Sequence, residues 1–178
     1  MKITPDEFII TNRCRLRYPS SDDFQHIWSA SRYPGFNDGM VWDTPTSMDE
    51  LTEPLRRSHE AWEAGTAYTW TIETKTDSEF IGRIGLRQEN QKRDWSLGYW
   101  THPAVQKRGY ATEVASAVIN FGFSKIGAIR ITAACATWNE ASGKVLQRVG
   151  MKKTGINPRG FKKGCEWVEE YEYEIRVN

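Results

Sequence analysis

Hydrophobic and polar residues follow one another along the chain in two rhythms, one typical of strands and one typical of helices. The strand-like runs are rich in aromatic and β-branched residues and read IITNRCRLR within 8–17, TAYTWTIET, EFIGRIGLRQ and DWSLGYWTH. The later run AIRITAACA is apolar on both faces, which is typical of a central strand. Before it, Val114, Val118 and Phe121 recur at i, i+4 and i+7, which predicts a helix that ends near Gly127.

Two helices are predicted between the first and second strand-like runs. The Ser-Ser pair at 20–21 precedes two aspartates, which is typical of a helix N-terminus, and this helix should extend to about Ser31. Ser47 and Glu50 have the spacing of a capping box, and the helix after them is expected to end near Gly65.

A short fourth helix is predicted to begin at Asn139. In it Ala141, Val145 and Val149 are expected to share one buried face, and Gly150 stands where a left-handed C-terminal residue is usual. Two closing strands, over about 152–155 and 166–176, complete the order β-α-α-β-β-β-α-β-α-β-β. This order predicts a single α+β domain over residues 1–178, a three-layer α/β/α arrangement with one strand–helix–strand crossover.

Composition excludes several classes of protein. The 178 residues carry 24 Lys and Arg against 23 Asp and Glu, so the basic excess expected of a general nucleic-acid binder is absent. No stretch approaches the ~20 apolar residues of a membrane helix. The start MKITPDEFII has acidic residues where a signal peptide carries its apolar core, so we expect a cytoplasmic protein.

Cysteine and histidine spacing argues against a metal centre. Cys14, Cys135 and Cys165 are odd in number and have no C-x-x-C spacing, so we expect reduced and mostly buried thiols. The three histidines lie far apart in the sequence. No metal site is therefore predicted.

The loop QKRGYA, between a strand and a helix, carries the main chemical signal. Unpaired N–H groups at such a helix start bind anions, and the helix dipole adds partial positive charge. Gly109 lets the main chain approach a phosphate closely, and Ala111 keeps the next position open. Lys107 and Arg108 add positive charge at the same point. The loop therefore predicts a phosphate site.

Three patterns in the second half of the chain occur together. They are Q-x-x-G-x-A at Gln106, GYATE at 109–113, and N-x-x-S-x-x-V-x-x-x-x-G from Asn139 to Gly150. From about Phe80 to Gly155 the chain resembles the GNAT acetyltransferase superfamily, nearest to its RimJ/RimL-like branch of ribosomal-protein N-terminal acetyltransferases. The resemblance implies the GNAT acyl-CoA N-acyltransferase fold, a mixed and mostly antiparallel sheet with a splay between the family's strands β4 and β5.

The resemblance also implies the residues that bind acetyl-CoA. The pyrophosphate would be held by main-chain N–H groups of Gln106, Lys107, Arg108, Gly109, Tyr110, Ala111 and Thr112. The pantetheine arm would pair with the strand edge at Tyr99, Trp100 and Thr101. Asn139 would bind the same arm, Ser142 would face the thioester sulfur, and Lys144 either reaches the phosphates or is a solvated lysine. No metal takes part.

The implied reaction is direct attack of a primary amine on the thioester. The Trp100 N–H would bind the developing oxyanion, and Ser142 would donate a proton, because Leu146 stands where some relatives have a catalytic tyrosine. No general base is singled out: Glu89, Asp94, His102 and a chain of water molecules all stay open.

Other points stay open in the sequence. Lys107 replaces the small residue of many relatives, so loop geometry or phosphate contacts are expected to differ. Trp42, in the loop over 33–45, would wall an acceptor pocket, and Asp38 and Asp43 in the same loop either attract a cationic amine or are solvated. The acceptor is either a peptide or protein N-terminus or a small amine, with no nucleic acid or membrane as partner, and oligomeric state is not predicted. The alternatives are a non-catalytic acyl-CoA-binding or regulatory module and an RNA-binding sheet.

Overall fold

A computed structural model of the chain describes residues 3–177. Its centre is one eight-stranded sheet in the order β1-β2-β3-β4-β5-β6-β8-β7. All neighbouring strands are antiparallel except β5 and β6, which are parallel and joined by a helical crossover. The strands are β1 Ile9–Ile10, β2 Cys14–Arg17, β3 Ala67–Thr74, β4 Phe80–Gln88, β5 Asp94–Thr101, β6 Arg130–Ala136, β7 Lys152–Lys163 and β8 Glu166–Arg176.

Four helices flank the sheet, and all four were expected from the sequence. They are α1 Phe24–Ser31, α2 Thr52–Ala64, α3 Tyr110–Phe121 and α4 Glu140–Arg148. Gly65, Gly127 and Gly150 follow helical segments with φ of 73°, 76° and 89°, as the C-terminal glycine rule predicts. Within residues 3–177, no helix is long and apolar enough to cross a membrane.

The N-terminal run differs from the single strand that was predicted. Ile9 pairs with Leu16, so this run folds back on itself as the hairpin β1–β2. The Thr11 hydroxyl accepts from the Cys14 N–H at 2.8 Å, and the Thr11 backbone N–H donates to the Cys14 carbonyl at 2.9 Å. These two bonds close the turn. Side-chain caps of this kind compete with extended structure. The sheet therefore has eight strands, not seven.

Two predictions in the second half of the chain also need correction. Ala141 is exposed, and the buried face of α4 carries Gly143 and Leu146 instead. The first closing strand, predicted over 152–155, extends to Lys163, because register shifts accommodate the Pro158 region opposite β8. A bulge of this kind lets a strand continue past a residue that cannot donate to the ladder.

The helices form outer layers on the two faces of the sheet. Ile27 of α1 packs with Phe80 and the partly buried Trp100 on one face. On the other face α3 approaches very closely, since a Cβ at Gly122, the residue directly after α3, would lie 2.9 Å from Ile131 and 3.0 Å from Leu86. The buried Val114 and Val118 of the predicted stripe belong to this core. The α/β/α layering is confirmed.

The sheet opens between β5 and β6. Their pairing begins at Asp94 and Arg130 and stops at Ser96 and Thr132, although both strands continue for several residues. The predicted splay between the family's fourth and fifth strands is confirmed, and here it lies between β5 and β6 because the N-terminal hairpin adds one strand.

Candidate functional site

The hydrogen bonding between β4 and β5 decides which way each peptide group of β5 points. At one end the His102 N–H donates to the Ile81 carbonyl at 2.7 Å, and at the other the Glu89 N–H donates to the Asp94 carbonyl at 2.8 Å. The register between these two bonds is continuous. Because bonded and non-bonded pairs alternate in an antiparallel ladder, even-numbered residues of β5 face β4.

This alternation corrects the role predicted for Trp100. Its N–H points towards its partner Arg83 on β4, so it is used by the ladder and does not face the gap. The peptide groups of Tyr99 and Thr101 point the other way, beyond the place where β6 stops pairing. The backbone donors available to a ligand in the gap therefore belong to Tyr99 and Thr101.

The loop before α3 presents a run of free backbone donors. Lys107 and Gly109 have φ of 63° and 82°, and these left-handed residues turn the chain into the helix. Among the residues that the structure describes, the N–H groups of 107–112 have no hydrogen-bond acceptor. The Gln106 side chain donates to the Thr101 carbonyl at 3.2 Å and so ties the loop to the open edge of β5. This arrangement suits a phosphate group.

The loop is anchored from outside by the N-terminal hairpin. Glu113, in the first turns of α3, accepts hydrogen bonds of 2.7 Å from the Thr11 hydroxyl, the Arg13 N–H and the Arg13 side chain. Arg13 also donates to the Arg108 carbonyl at 2.9 Å and lies 4.5 Å from the centre of the Tyr110 ring. Burial raises the pKa of Glu113, but the bonds from Thr11 and Arg13 outweigh burial and lower it overall.

Ser142 lies where α4 begins, beside the open edge of β5. The Asn139 side chain caps the helix by accepting from the Ser142 N–H at 3.1 Å. The hydroxyls of Ser142 and Tyr99 are hydrogen-bonded at 2.9 Å. Burial raises the pKa of Tyr99 to about 12, so this phenol stays protonated near neutral pH. The two hydroxyls form a relay that can carry one proton.

A partly buried carboxylate, Glu170 on β8, lines the same cleft as Ser142 and Asn139. Burial raises its pKa, and the neighbouring Glu172 raises it further. Its side chain packs against the backbone of Gly160, where a Cβ would collide with the carboxylate. Within the described part of the chain, no hydrogen bond occupies this carboxylate. A group of this kind can accept a proton.

Tyr99, Asn139, Ser142 and Glu170 line a cleft with a volume of about 1250 Å³. Part of its floor is glycine, because Gly85 and Gly98 are directly paired across β4 and β5, and a Cβ at Gly98 would meet nothing within 4 Å. Trp42 and Trp100 stand on its walls with ring centres 6.4 Å apart. The cleft therefore has an aromatic side and an open floor over the strands that lead to the gap.

The loop between α1 and α2 is fastened across this cleft. Lys163, at the end of β7, donates to the carbonyls of Met40 at 3.2 Å and Trp42 at 2.9 Å and pairs with Asp43 at 3.1 Å. Asp43 is thus engaged by a lysine, and Asp38 is not among the residues that line the cleft. Trp42 does line the cleft, and its role as a wall of the acceptor pocket stays a prediction.

Several residues that the sequence suggested as site candidates lie away from the cleft. Glu89 and Asp94 line a separate, smaller cavity, and Asp94 pairs with Arg130 at 3.2 Å. His102 instead caps a short turn through the Ala104 N–H. The exposed Lys144 pairs with Glu140 at 3.1 Å. In the described residues 3–177, no group of three or more His, Cys, Asp or Glu side chains is arranged to hold a metal ion.

Sequence reasoning missed four residues that the structure places at the site. Arg13 and Glu170 are distant in sequence from the loop and from Ser142, so no local pattern connects them. Glu113 is part of GYATE, but its partners belong to the hairpin. For Arg83 a signal was present, because an arginine inside the apolar run FIGRIGL has to be buried or paired.

Residues 13–152 match the family model described as an acetyltransferase (GNAT) domain. The chain is 30% identical over 153 residues to "Uncharacterized N-acetyltransferase YoaA" of Bacillus subtilis (strain 168), covering 82% of this chain and 83% of that one. It is 34% identical over 95 residues to "Uncharacterized N-acetyltransferase YnaD" of the same strain, covering 53% of this chain. That alignment spans only 56% of YnaD.

Among solved structures, the fold is similar to that of RimL, described as a ribosomal L7/L12 α-N-protein acetyltransferase in complex with coenzyme A. The TM-score is 0.86 at 17% identity, covering 96% of this chain and 98% of the other. At 17% identity this comparison shows a similar fold.

Proposed function

The chain belongs to the GNAT acetyltransferase family, and we propose that it transfers an acetyl group from acetyl-CoA to a primary amine by direct attack on the thioester. The observation that carries this proposal is the combination of the free N–H run at 107–112 with the unpaired edge at Tyr99 and Thr101. These two features are what a pyrophosphate and an amide-bearing arm require.

The residues present fit acetyl-CoA. The N–H groups at 107–112 offer donors without acceptors, and the Asn139 side-chain amide lines the cleft beside the gap. Lys107 and Arg108 are exposed at the loop and add positive charge there. When bound, acetyl-CoA supplies the activated acetyl group, and the protein supplies donors, proton carriers and a shaped cleft.

The Ser142 hydroxyl is our candidate for the proton that the sulfur requires as it leaves. Tyr99 is hydrogen-bonded to it and replaces the proton that it gives up. The N–H groups of Tyr99 and Thr101 are the candidate donors to the oxygen on which negative charge develops. The residue at Leu146 is completely buried and takes no part.

Glu170 is our candidate for the general base. An amine must lose a proton before it attacks, and the carboxylate lies in the cleft with a pKa raised by burial. The raised pKa brings the base closer to the operating pH, which is the condition for efficient proton transfer.

A protein N-terminal α-amine is one acceptor class within this proposal, because RimL, with a similar fold, is described as an α-N-protein acetyltransferase. A small-molecule amine is the other class. An acceptor screen with labelled acetyl-CoA, including peptides that begin with Ala or Ser, separates them.

Binding is tested first by calorimetry with acetyl-CoA in the presence of EDTA. We expect one molecule per chain and loss of binding in Gly109→Val, because a β-branched residue resists a φ of 82° and occupies the approach to the loop. If the variant is folded and binds like the parent protein, the phosphates do not bind at this loop.

Turnover is tested with Ser142→Ala. We expect kcat to fall ~10- to 1000-fold, the size of a lost proton transfer, while the dissociation constant of acetyl-CoA changes little. Mass spectrometry of the parent protein with acetyl-CoA alone should show no acetylated serine. A parent protein that binds acetyl-CoA but acetylates no amine in the screen would support the non-catalytic alternative.

A further inference from the structure

Arg83 is a buried arginine without a hydrogen-bond partner in the described structure. It lies on β4, its side chain is 15% exposed, and it lines the cleft. Its Nε and one terminal nitrogen, Nη2, are buried with no partner. The nearest carboxylate oxygen belongs to Asp23, 3.6 Å from Nη2, which is too long for a hydrogen bond. A guanidinium presents five donors, so its hydrogen-bonding capacity is unused here.

The neighbouring acids are already occupied by other groups. Asp23 is completely buried and accepts from Arg17 at 2.6 Å and from the Thr71 hydroxyl at 2.5 Å. Glu73 accepts from Arg17 at 2.7 Å and also from Arg15. This cluster therefore contains three arginines and two carboxylates, and the nearest acid to Arg83 is Asp23, at 3.6 Å, which Arg17 already engages at 2.6 Å.

Asp23 compensates the burial of this charge only in part. Desolvation lowers the pKa of Arg83 below its ordinary value, only partly opposed by Asp23. An uncompensated buried charge costs several kcal/mol in general. Folded proteins rarely leave such groups unsatisfied, and each exception needs a reason such as a bound ion or ligand.

A second unsatisfied group lines the same cleft. The Ser58 hydroxyl on α2 is buried and also has no hydrogen-bond partner among the described residues. Arg83 and Gly85 lie on one face of β4, and the glycine floor beside the arginine leaves room above the strands. Arg83 and Ser58 thus both line the cleft and both carry polar atoms whose hydrogen-bonding capacity is unused among the described residues.

We propose that Arg83 and Ser58 form a subsite for a carboxylate or phosphate group of the amine acceptor. This inference rests on the proposed function and names its substrate class: an amine that carries an anionic group. A guanidinium holds either anion through two parallel N–H···O bonds, and the serine hydroxyl donates a third. Glu170 serves the amine end and Arg83 the acidic end, so the cleft distinguishes the two ends of an acceptor by charge.

The experiment compares acceptors that differ only in the anion. The carboxylate pair is β-alanine against β-alaninamide, the peptide pair is Ser-Asp-Ala against Ser-Asn-Ala, both amidated, and the phosphate pair is phosphoethanolamine against ethanolamine. In at least one pair we expect the anionic member to have a kcat/KM ~10-fold or more above its neutral match, the scale of one charge-assisted contact. The pair that shows the preference identifies carboxylate or phosphate.

Arg83→Gln should remove this preference. We expect kcat/KM for the anionic acceptor to fall ~10- to 100-fold, while that for the neutral match stays within about twofold. Ser58→Ala should cause a smaller loss, about three- to tenfold, again only for the anionic acceptor. The matched control is Arg176→Gln, an exposed arginine at the end of β8 outside the cleft, which should behave like the parent protein.

A binding measurement separates this inference from the proposed function. Calorimetry with CoA present should show that the preferred anionic acceptor binds the parent protein and binds Arg83→Gln at least tenfold more weakly. Equal binding of the anionic acceptor to the parent protein and to Arg83→Gln overturns the subsite even if acetyl transfer occurs. Equal kcat/KM for anionic and neutral acceptors in all three pairs overturns it as well.

If no amine is acetylated but anion binding still depends on Arg83, the proposed function is wrong and the subsite stands. If Arg83→Gln does not fold, Ser58→Ala decides, and parent-like kcat/KM and binding of the anion in that variant overturn the proposal.

Discussion

The contact between the N-terminal hairpin and the phosphate-type loop offers the sharpest test of how this site is held. Glu113 receives three hydrogen bonds of 2.7 Å from Thr11 and Arg13, and Arg13 in turn holds the Arg108 carbonyl. Replacing Glu113 by alanine removes all three acceptor contacts at once. We therefore expect both the stability of the fold and the affinity for acetyl-CoA to fall.

The expected loss follows from the exposure of the two partners. The Glu113 side chain is 19% exposed and the Arg13 side chain 43%, so the ion pair itself is screened by solvent. The bond from the Thr11 hydroxyl is part-buried, whereas the bond from the Arg13 N–H is exposed like the ion pair. Hydrogen bonds to a charged group contribute about 1.5–3 kcal/mol each before the discount for exposure. Together we expect a loss of about 3 kcal/mol, which lowers Tm by about 6–12 °C in a chain of this length.

Thermal unfolding and acetyl-CoA calorimetry measure both effects. Glu113→Gln keeps an acceptor for Thr11 and should lose only about 1 kcal/mol. Arg13→Ala keeps its own backbone bond, and its effect should be less than additive with Glu113→Ala, because the pair shares one contact. A loop that has lost its anchor should bind acetyl-CoA ~10-fold more weakly, equivalent to about 1.4 kcal/mol.

The pH dependence supplies an independent check. Because the folded protein holds the pKa of Glu113 below its unfolded value, this group stabilises the fold above the unfolded pKa. That contribution is lost as pH falls through the lowered pKa. The difference in Tm between parent and Glu113→Gln should therefore shrink in acid. A Glu113→Ala variant with parent-like Tm and affinity would refute the anchoring role.

Two further perturbations separate charge from geometry. Lys107 has a φ of 63°, so Lys107→Gly should be about 0.5–1 kcal/mol more stable than Lys107→Ala. Both variants lose any phosphate contact equally, so the dissociation constant of acetyl-CoA should rise in both by the same factor, ~10-fold at most. Equal urea midpoints would contradict the left-handed geometry. In Glu170→Gln we expect kcat to fall at least ~100-fold. Because burial and Glu172 raise its pKa, the charged form destabilises the fold at neutral pH, so this variant should have the higher Tm at pH 7 and lose that advantage in acid. An advantage that does not change with pH would mean that the pKa of Glu170 is not raised.

Most of the secondary structure was predictable from short stretches of sequence, because the interactions that form helices and their ends are local. The stripe of Val114, Val118 and Phe121 is buried as predicted, because helical periodicity places these side chains on one face whatever the rest of the chain does. Helix ends were equally predictable, since Gly65 and Gly127 adopt the backbone that only glycine adopts freely. The prediction that Ala141 is buried was wrong, because packing against the neighbouring layers determines which face of a short helix is buried.

The sequence by itself determined the order of elements behind the fold class, the loop at 106–112 and the start of a helix at Asn139, because each of these elements depends on residues a few positions apart. Only the tertiary structure decided which β5 peptide groups face the gap, since one step of strand register exchanges Trp100 for Tyr99 and Thr101. It alone brought Glu170 to the cleft that Ser142 lines, and Arg13 to Glu113. It also left the Arg83 Nε and Nη2 without a hydrogen-bond partner among the described residues, with Asp23 as the nearest acid at 3.6 Å. Contacts between distant segments depend on how whole elements pack, and no spacing along the chain records them.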